Sequence, residues 1–272
     1  MAMKFKKMHG LGNDFVVIDN REGRYTLSAQ DCVKIADRRF GVGCDLVVIL
    51  ERSERADILA IFYNADGSES AACGNATRCV ADILMGETGG DACAVETRHG
   101  VLPCRRVENG WIEVDMGVPR LEWGDIPLSE ARDTLMLELG DKVTNPAVAV
   151  NMGNPHCVLF VEDAEHFPVE RVGTVVENHP LFPQRTNVEF VHVMEDGRLR
   201  QRTWERGCGE TLACGSGACA VGVAAVRRGL IDGRRVEILL NGGSLIIEWR
   251  ESDGHVLMSG PAASVFEGHW PE

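Results

Sequence analysis

Two near-copies of one short cysteine motif lie far apart in this sequence. The first copy is Glu69–Asn75 and the second is Glu210–Ser216, and both read Glu-Xaa-Xaa-Ala-Cys-Gly. They are offset by 141 residues, and the same offset relates Gly12–Phe15 to Gly153–His156. Two separate matches at one offset indicate a duplicated lobe. We therefore expect two similar lobes that face each other across a cleft, with one thiol on each side and the functional site between them.

Bulk composition limits the class of protein. With 272 residues the chain is long enough for two lobes, and its 44% hydrophobic and 25% charged residues are typical of globular proteins. A net charge of −13 disfavours nucleic acid or an anionic membrane as a partner. No apolar run is long enough to span a membrane, and no apolar secretory segment follows the N-terminal lysines. A cytoplasmic location is the default expectation.

The ten cysteines are expected to be reduced thiols rather than a disulfide framework. No C-x-x-C or H-E-x-x-H pattern occurs, so we expect no metal site. Two Gly-x-Gly segments lack the third glycine of a dinucleotide-binding fingerprint, and no phosphate-binding loop is present. No motif requires pyridoxal phosphate either. We therefore expect a protein without a cofactor.

Short strand-like runs dominate the sequence, and glycine, asparagine and aspartate separate them. No ordered alternation of strand and helix is visible, which disfavours a doubly wound parallel sheet. The fold class is predicted to be α+β, with lobes at residues 1–117 and 118–259 and a C-terminal tail, 260–272, that returns to the first lobe. The predicted strands are Asp14–Asp19, Leu46–Leu50, Ile58–Tyr63, Trp111–Met116, Val148–Met152, Cys157–Val161, Val188–Val193, Val236–Leu240, Leu245–Trp249 and Val256–Met258.

One helix is predicted directly after each repeated cysteine. Between Ala76 and Leu84 apolar residues recur at the helical period, and this helix is expected to end near Gly86. The second helix is predicted from Ser216 to Arg228, with Gly229 as its C-cap. Its residues are apolar on every side, so it should be buried all round. A buried helix wrapped by strands, made twice, fits two α+β lobes.

A cysteine at the start of a helix is a candidate for chemistry. Free N–H groups and the helix dipole stabilise an anion there, so the pKa of a thiol can fall. The same N–H groups can bind a substrate carboxylate, and Gly74 and Gly215 would allow a close approach of the backbone. Cys73 and Cys214 could then act as two opposed acid/base groups, which is what inversion of a carbon centre requires.

With these residues in view, the chain resembles the diaminopimelate epimerase family, a family of cofactor-independent amino-acid epimerases, over nearly its whole length. Many ordered segments carry the resemblance: His9–Phe15, Arg38–Asp45, Tyr63–Ser68, Ala72–Asn75, Gly153–His156, Arg185–Phe190, Trp204–Gly207 and Ala213–Ala218. The resemblance implies two pseudo-symmetric lobes, each a β-barrel-like sheet wrapped around a central helix. It also implies conversion of LL-2,6-diaminopimelate to the meso isomer, in lysine and cell-wall precursor synthesis.

The resemblance further implies roles for individual residues. Cys73 and Cys214 would be the two catalytic bases, and His156 and Glu205 would lie near the thiols and tune their protonation. The partner would be a small amino-acid substrate; a homodimer is left open, because Phe266 stands where the family often has tyrosine. The implied substrate-binding residues are Asn13, Asn64, Gly74, Asn75, Asn154, Asn187, Glu205, Arg206, Gly215 and Ser216, together with position 46, where Leu46 replaces the usual glutamine.

Three other interpretations remain open from the sequence. Another cofactor-independent racemase or epimerase, of proline or hydroxyproline type, would keep the cysteine pair without needing Asn64 and Arg206 for a distal amino-acid group. A non-catalytic amino-acid binder would bind substrate without exchanging its α-proton. A redox sensor that joins Cys73 to Cys214 would leave the polar residues around both thiols unexplained.

Overall fold

The computed structural model describes residues 2–140, 143 and 145–271. The chain divides into two compact units: Met1–Val114 together with Ser259–Glu272, and Asp115–Met258. The lobe boundaries drawn from the sequence, and the cleft between the lobes, stay predictions. In the described ranges, no helix is both long and apolar enough to cross a membrane.

The first unit is a mixed sheet with two helices. Its elements are β1 (Met3–Gly10), β2 (Asn13–Asp19), α1 (Ala29–Ala36), β3 (Leu46–Glu51), β4 (Ile58–Asn64), β5 (Glu69–Ser70), α2 (Gly74–Thr88), β6 (Ala92–Thr97), β7 (Gly100–Arg106), a 3-10 turn (Glu108–Gly110), β8 (Ile112–Asp115) and β17 (Ala263–Trp270). Strand β1 pairs with β17 and β2, and the order continues through β3, β4, β6 and β7 to β8, with the short β5 also on β4.

The second unit repeats this arrangement. Its elements are β9 (Val148–Asn151), β10 (Pro155–Phe160), α3 (Val169–Glu177), β11 (Asn187–Val193), β12 (Leu199–Glu205), β13 (Gly209–Thr211), α4 (Gly215–Arg227), β14 (Arg235–Leu240), β15 (Gly243–Trp249) and β16 (Val256–Gly260). Strand β9 pairs with β10, followed by β11 and β12. Strand β12 also pairs with the short β13 and with β14, and β14 pairs with β15.

The strand register shows that the repeat seen in the sequence is a structural duplication. Strand β2 runs parallel to β3 with Phe15 opposite Leu46, and β10 runs parallel to β11 with His156 opposite Asn187. Both of these residue pairs are related by the offset of the cysteine motifs. Strands β4 and β12, and the first residues of α2 and α4, also keep that offset.

The two helices that follow the cysteines are the centres of their units. Helix α2 packs against β1, β2, β6 and β7, and α4 packs against β9, β10, β11, β14 and β15. Nearly all residues of α4 are buried, as its apolar composition predicts. The α+β fold class is therefore confirmed, with strands around a central helix in each unit.

Two details differ from the sequence-based expectation. Each parallel strand pair is joined through a helix: α1 joins β2 to β3, α2 joins β4 to β6, and α3 and α4 do the same in the second unit. Strand–helix–strand units are therefore present, although antiparallel pairs keep the sheets mixed. Helix α2 also continues past Gly86 to Thr88 and ends at Gly89, because Gly89 has a positive φ of 69° and caps the helix through a bond to Met85.

Tight packing in the second unit predicts an effect of one added methyl group. A Cβ at Gly222 of α4 would lie 2.6 Å from Cγ2 of Ile247, a buried residue of β15. We expect Gly222→Ala to lower the free energy of unfolding by about 1–3 kcal/mol, as overpacking does in close-packed cores. Urea denaturation followed by circular dichroism measures this difference.

Gly86 provides the matched control, because a Cβ at this position of α2 would meet no atom within 4 Å. Gly86→Ala should raise the free energy of unfolding, by about 0.5–1 kcal/mol, since alanine restricts the unfolded chain and favours the helix. Equal stabilisation by both substitutions would show that Ile247 yields freely and would contradict the packing argument.

Candidate active site

Both repeated cysteines occupy the N-cap position of a central helix. Cys73 precedes α2 and Cys214 precedes α4, each with extended backbone, and neither side chain caps its helix. Gly74 and Gly215 are the first residues of the two helices, as the motif requires for close approach of the backbone. The N–H groups of a first helical turn point away from the helix, so each turn offers an anion-binding position beside a sulfur atom.

Cys73 belongs to a chain of polar side chains in the first unit. Its sulfur donates to Oδ1 of Asn13 at 3.7 Å, and Nδ2 of Asn75 donates to the same oxygen at 3.2 Å. Asn13 in turn donates to Asp45 at 2.8 Å, while the fully buried Arg78 donates to Oδ1 of Asn75 at 2.9 Å. These contacts fix both amides beside the half-buried thiol, and Arg78 is a neighbour that the sequence analysis did not identify.

Cys214 lies in a more buried and more acidic place. Its sulfur is 3.6 Å from Oγ of Ser216 and also contacts the carboxyl group of Glu205, which accepts a hydrogen bond from Thr211 at 2.5 Å. Burial raises the pKa of the Cys214 thiol well above its usual value, and the carboxyl groups of Glu205 and Glu189 raise it further. Hydrogen bonds with Ser216 and the Gly217 N–H lower this pKa by less.

The expectation that the helix start lowers the thiol pKa is therefore wrong for Cys214. Burial and the two carboxyl groups outweigh the hydrogen bonds that favour the thiolate, so the pKa of this thiol is raised rather than lowered. Burial also raises the pKa of the nearby Glu205 carboxyl, although the hydrogen bond from Thr211 opposes this shift. A protonated thiol beside a carboxyl with raised pKa can deliver a proton and later be ionised by its neighbours.

His156 is held between two side chains. Its Nδ1 is 2.8 Å from Oε1 of Glu189 and its Nε2 is 2.9 Å from Oδ1 of Asn154. His156 and Glu189 are both completely buried, and Oε2 of Glu189 has no hydrogen-bond partner among the described residues. A Cβ at Gly217 would lie 2.6 Å from Oε1 of Glu189 and 3.3 Å from the Cys214 sulfur. The Glu189 oxygen that pairs with His156 and the Cys214 sulfur therefore both lie beside Gly217.

Glu189 is the main functional candidate that the sequence analysis missed. Its segment was part of the family resemblance, but no role was given to the glutamate. The sequence contained one indication of this role, an acidic residue inside the apolar run Val188–Val193. Burying a carboxylate costs free energy unless another group pairs with it. Its partner His156 could not be found by spacing, because the contact depends on the parallel register of β10 and β11.

The remaining predicted binding residues lie at strand ends. Asn187 uses both ends of its amide on backbone groups: Nδ2 donates to the Pro155 carbonyl at 3.0 Å, and Oδ1 accepts from the Arg206 N–H at 2.9 Å. Leu46 is buried in β3 and pairs across the sheet with Asn64, whose own side chain donates to Ser68 at 2.9 Å.

Arg206 has an unusual environment for a cation. Its guanidinium is partly buried and donates to the Gln184 carbonyl at 3.0 Å, but it forms no ion pair with any residue in the described part of the chain. Desolvation lowers the pKa of this guanidinium, the neighbouring Arg185 lowers it further, and the Glu177 carboxylate opposes the shift. A partly buried cation without a direct ion pair among the described residues is suited to bind an anionic ligand.

Known proteins resemble this chain over its whole length. The family model described as diaminopimelate epimerase matches residues 5–122 and 148–265, which include both cysteine motifs. The chain belongs to the diaminopimelate epimerase family. It is 52% identical over 268 residues to a diaminopimelate epimerase of Acidiphilium cryptum, covering 98% of this chain and 96% of that protein.

Two further comparisons agree with this family and with the fold. A diaminopimelate epimerase of Rhodospirillum centenum is 51% identical over 274 residues, covering 100% of this chain and 94% of the other. Among solved structures, a phenazine biosynthesis protein of the PhzF family from Bacillus anthracis superposes with a TM-score of 0.72 at 17% identity, with complete coverage of both chains. This last likeness concerns the fold alone. The expected family and its two-lobed α+β fold are confirmed.

Proposed function

We propose that the protein epimerises LL-2,6-diaminopimelate to meso-diaminopimelate without a cofactor, in lysine and cell-wall precursor synthesis. One observation carries the proposal: within a chain of the diaminopimelate epimerase family, Cys73 and Cys214 occupy the N-cap positions of the two equivalent central helices of a duplicated fold. Each thus has a sulfur beside a turn of N–H groups that can bind a carboxylate.

In the proposed reaction the two sulfurs act on opposite faces of one α-carbon. One thiolate removes the α-proton while the other thiol delivers a proton, and the roles exchange in the reverse direction. The α-proton is very weakly acidic, so the carbanion needs fixed hydrogen-bond donors in a site from which water is excluded. The N–H groups at Gly74–Asn75 and Gly215–Ser216 would bind the α-carboxylate and the negative charge that develops on it.

The groups around the thiols would set their protonation. Glu205 and His156 are proposed to help the proton of Cys214 to leave and return, because the pKa of Cys214 is strongly raised by burial. Three amide side chains would hold polar groups of the substrate, or the protein side chains next to it, in a fixed orientation: those of Asn13, Asn154 and Asn187.

The distal end of the substrate would be bound through Arg206 and Asn64. Leu46 removes one polar contact that the family usually provides, so recognition of the distal centre would depend more heavily on Arg206.

Glu189 is proposed as a positioning residue that acts through His156. Glu189→Gln keeps the shape of the side chain but removes the charge that faces Nδ1 at 2.8 Å. We expect kcat to fall by about 10- to 100-fold, the worth of one hydrogen bond to a charged group. Steady-state kinetics on purified, folded protein measures the effect.

A double-mutant cycle distinguishes this role from a merely structural one. If Glu189 acts through His156, adding Glu189→Gln to a His156→Gln variant should cause little further loss of kcat. Losses that multiply in the double variant would show that the two residues act independently and would reject the positioning role.

The proposed function is tested by proton NMR in deuterated water. Reduced protein should introduce solvent deuterium at the α-position of LL-diaminopimelate while the meso isomer forms. Neither exchange nor meso product from a folded, reduced protein would reject this substrate, and Leu46 would be the first residue to re-examine.

A related substrate class is the second candidate. A proline-type racemase would also use two thiols, but its substrate has no distal carboxylate to pair with Arg206. A panel containing proline, hydroxyproline and diaminopimelate distinguishes the two reactions. Binding of diaminopimelate without α-proton exchange would instead support a non-catalytic binder.

Location and assembly complete the proposal. A cytoplasmic location suits an enzyme that acts on a small intracellular amino acid.

A homodimer is proposed through the strand that carries the exposed Val265 and Phe266, where Phe266 also packs edge-on against Phe5 with the ring centroids 6.0 Å apart. Light scattering coupled to size-exclusion chromatography tests it, and a monomer at micromolar concentration would reject it.

A further inference from the structure

Two cysteines that have no part in the proposed reaction face each other across a β-hairpin. Cys93 on β6 and Cys104 on β7 are direct antiparallel partners. Their side chains therefore lie on one face of the sheet, the face that also carries the buried Val95 and Leu102. Cys93 is half-buried and its sulfur lies 4.0 Å from the carbonyl oxygen of Ala81 in α2, whereas Cys104 is buried.

The neighbouring backbone bonds define the type of this pair. Ala94 donates its N–H to the Asp57 carboxylate at 2.7 Å, and its carbonyl accepts from the Asp57 N–H at 3.1 Å. Both groups of Ala94 thus point away from β7, so Ala94 and Pro103 form a non-hydrogen-bonded pair. The next pair along, Cys93 and Cys104, is then of the hydrogen-bonded type.

A disulfide can form between hydrogen-bonded strand partners, but the bond would be strained. Hydrogen-bonded antiparallel partners have Cα atoms about 5.5 Å apart, which is within the range that disulfides span. Their Cβ atoms are farther apart than in an average disulfide, so closing the bond requires a small movement of the strands. A strained disulfide is more easily reduced than a relaxed one, and such bonds are typical of reversible rather than structural bridges.

The two thiols also differ in exposure, and the pKa of the more accessible one is lowered. The Cys104 side chain lowers the pKa of the Cys93 thiol, although burial partly opposes the shift. The Cys104 sulfur also lies 3.4 Å from the Leu102 carbonyl oxygen. This is the arrangement of an attacking thiol with a resolving thiol beside it.

We propose that Cys93 and Cys104 form a reversible redox site that is oxidised by a low-molecular-weight disulfide such as glutathione disulfide. The Cys93 thiolate attacks one sulfur of the oxidant, which forms a mixed disulfide and releases one glutathione thiolate. Cys104 then loses its proton and attacks the Cys93 sulfur, which releases the second glutathione. Two protein thiols are oxidised to one disulfide, and one glutathione disulfide is reduced to two thiols.

The test uses the full chain with Cys73→Ser, Cys214→Ser and Cys208→Ser, so that the proposed catalytic thiols and the exposed Cys208 cannot react. The protein is incubated with glutathione disulfide, quenched with acid, alkylated and analysed by intact mass. Digestion with trypsin and a glutamate-specific protease should then yield a linked pair of peptides, Thr88–Glu96 and His99–Arg105. Cleavage after Glu87 separates Cys93 from Cys79, which would otherwise share its peptide.

We expect the oxidised protein to carry two fewer alkyl groups than the reduced control, to contain this linked pair, and to return to the thiol form with reduced glutathione alone. Adding Cys104→Ser should stop the reaction at a mixed disulfide on Cys93, and adding Cys93→Ser should abolish it. A persistent glutathione adduct on Cys93 when Cys104 is present would overturn the proposal. So would a bond from either residue to Cys79, or no oxidation at all.

The redox site is independent of the proposed epimerisation. Cys93→Ser and Cys104→Ser variants that keep Cys73 and Cys214 should retain wild-type epimerisation rates under reducing conditions. Failure of the protein to act on diaminopimelate would leave the peptide-mapping result unaffected, so the two proposals fail separately.

Discussion

Alanine at Cys73 or at Cys214 is expected to lower the rate of epimerisation by about 10³- to 10⁴-fold, because each substitution removes one of two required acid/base groups. Both variants should stay folded, since an N-cap cysteine whose side chain makes no capping bond contributes little to its helix. Circular dichroism of the epimerisation reaction, which converts a chiral isomer to the meso form, measures the rate directly.

The same variants can be examined for partial reactions. Burial raises the pKa of Cys214, so we expect Cys73 to act as the initial base on the LL isomer. Cys214→Ala should then retain more exchange of the LL α-proton with deuterated water than Cys73→Ala does, although neither should form product at an appreciable rate.

Cys219→Ala is the matched control, because Cys219 lies one turn further along α4 and is fully buried in the core. It should keep the wild-type rate within about two-fold and lose only stability, since deleting a small buried group costs about 1 kcal/mol. If Cys73→Ala or Cys214→Ala retained more than about a tenth of the wild-type rate, the two-thiol mechanism would be wrong.

Much of the fold was accessible from local sequence patterns. All ten strand-like runs overlap strands of the structure, because short runs of β-branched and aromatic residues bounded by turn residues favour extended backbone. Strand β1 was missed because lysines interrupt its apolar alternation, and β7 because Pro103 lies inside it. The exposed side chain and non-hydrogen-bonded position of Pro103 explain how the sheet accepts it.

The short helices were also missed, for a different reason. Helix α1 has eight residues, fewer than a periodic pattern needs to be distinctive, yet Ser28 and Asp31 form a capping box that could have marked its start. Helix α3 begins after Pro168 and is rich in valine, which favours strands. Its stability depends on packing against β11, β12 and β13, and no local pattern records that packing.

The candidate site also contains some residues that could be predicted from the sequence and others that could not. The two thiols were predictable because the motif is repeated, and the repeat needs no knowledge of the fold. The pairing of His156 with Glu189 and the raised pKa of Cys214 were not predictable, since both depend on which side chains the strands bury together. Burial is a property of the whole unit, so the direction of the Cys214 pKa shift could not be decided from a helix start alone.

The second large effect is expected at Arg206. Its guanidinium is partly buried, has no ion pair in the described residues, and has its backbone N–H fixed by Asn187. Arg206→Met should lower kcat/KM for LL-diaminopimelate by about 10²- to 10³-fold, because one or two charge-assisted hydrogen bonds to the distal carboxylate are lost. Initial rates over a range of substrate concentrations measure the change.

The distribution of this loss between KM and kcat is itself informative. The distal carboxylate does not change during proton transfer, so Arg206 should bind it equally in the ground state and the transition state. Most of the loss should therefore appear in KM. Arg206→Lys keeps the charge but not the planar fork, and should recover only part of the affinity.

Arg198→Met serves as the control, since this partly exposed arginine is paired with Asp196 at the turn after β11. It should change kcat/KM by less than about two-fold, as is usual for surface ion pairs. A wild-type KM in Arg206→Met would show that the distal carboxylate binds elsewhere and would remove the argument for a dicarboxylic substrate. A large fall in kcat with unchanged KM would instead assign Arg206 to the reacting carboxylate, where its charge would stabilise the carbanion.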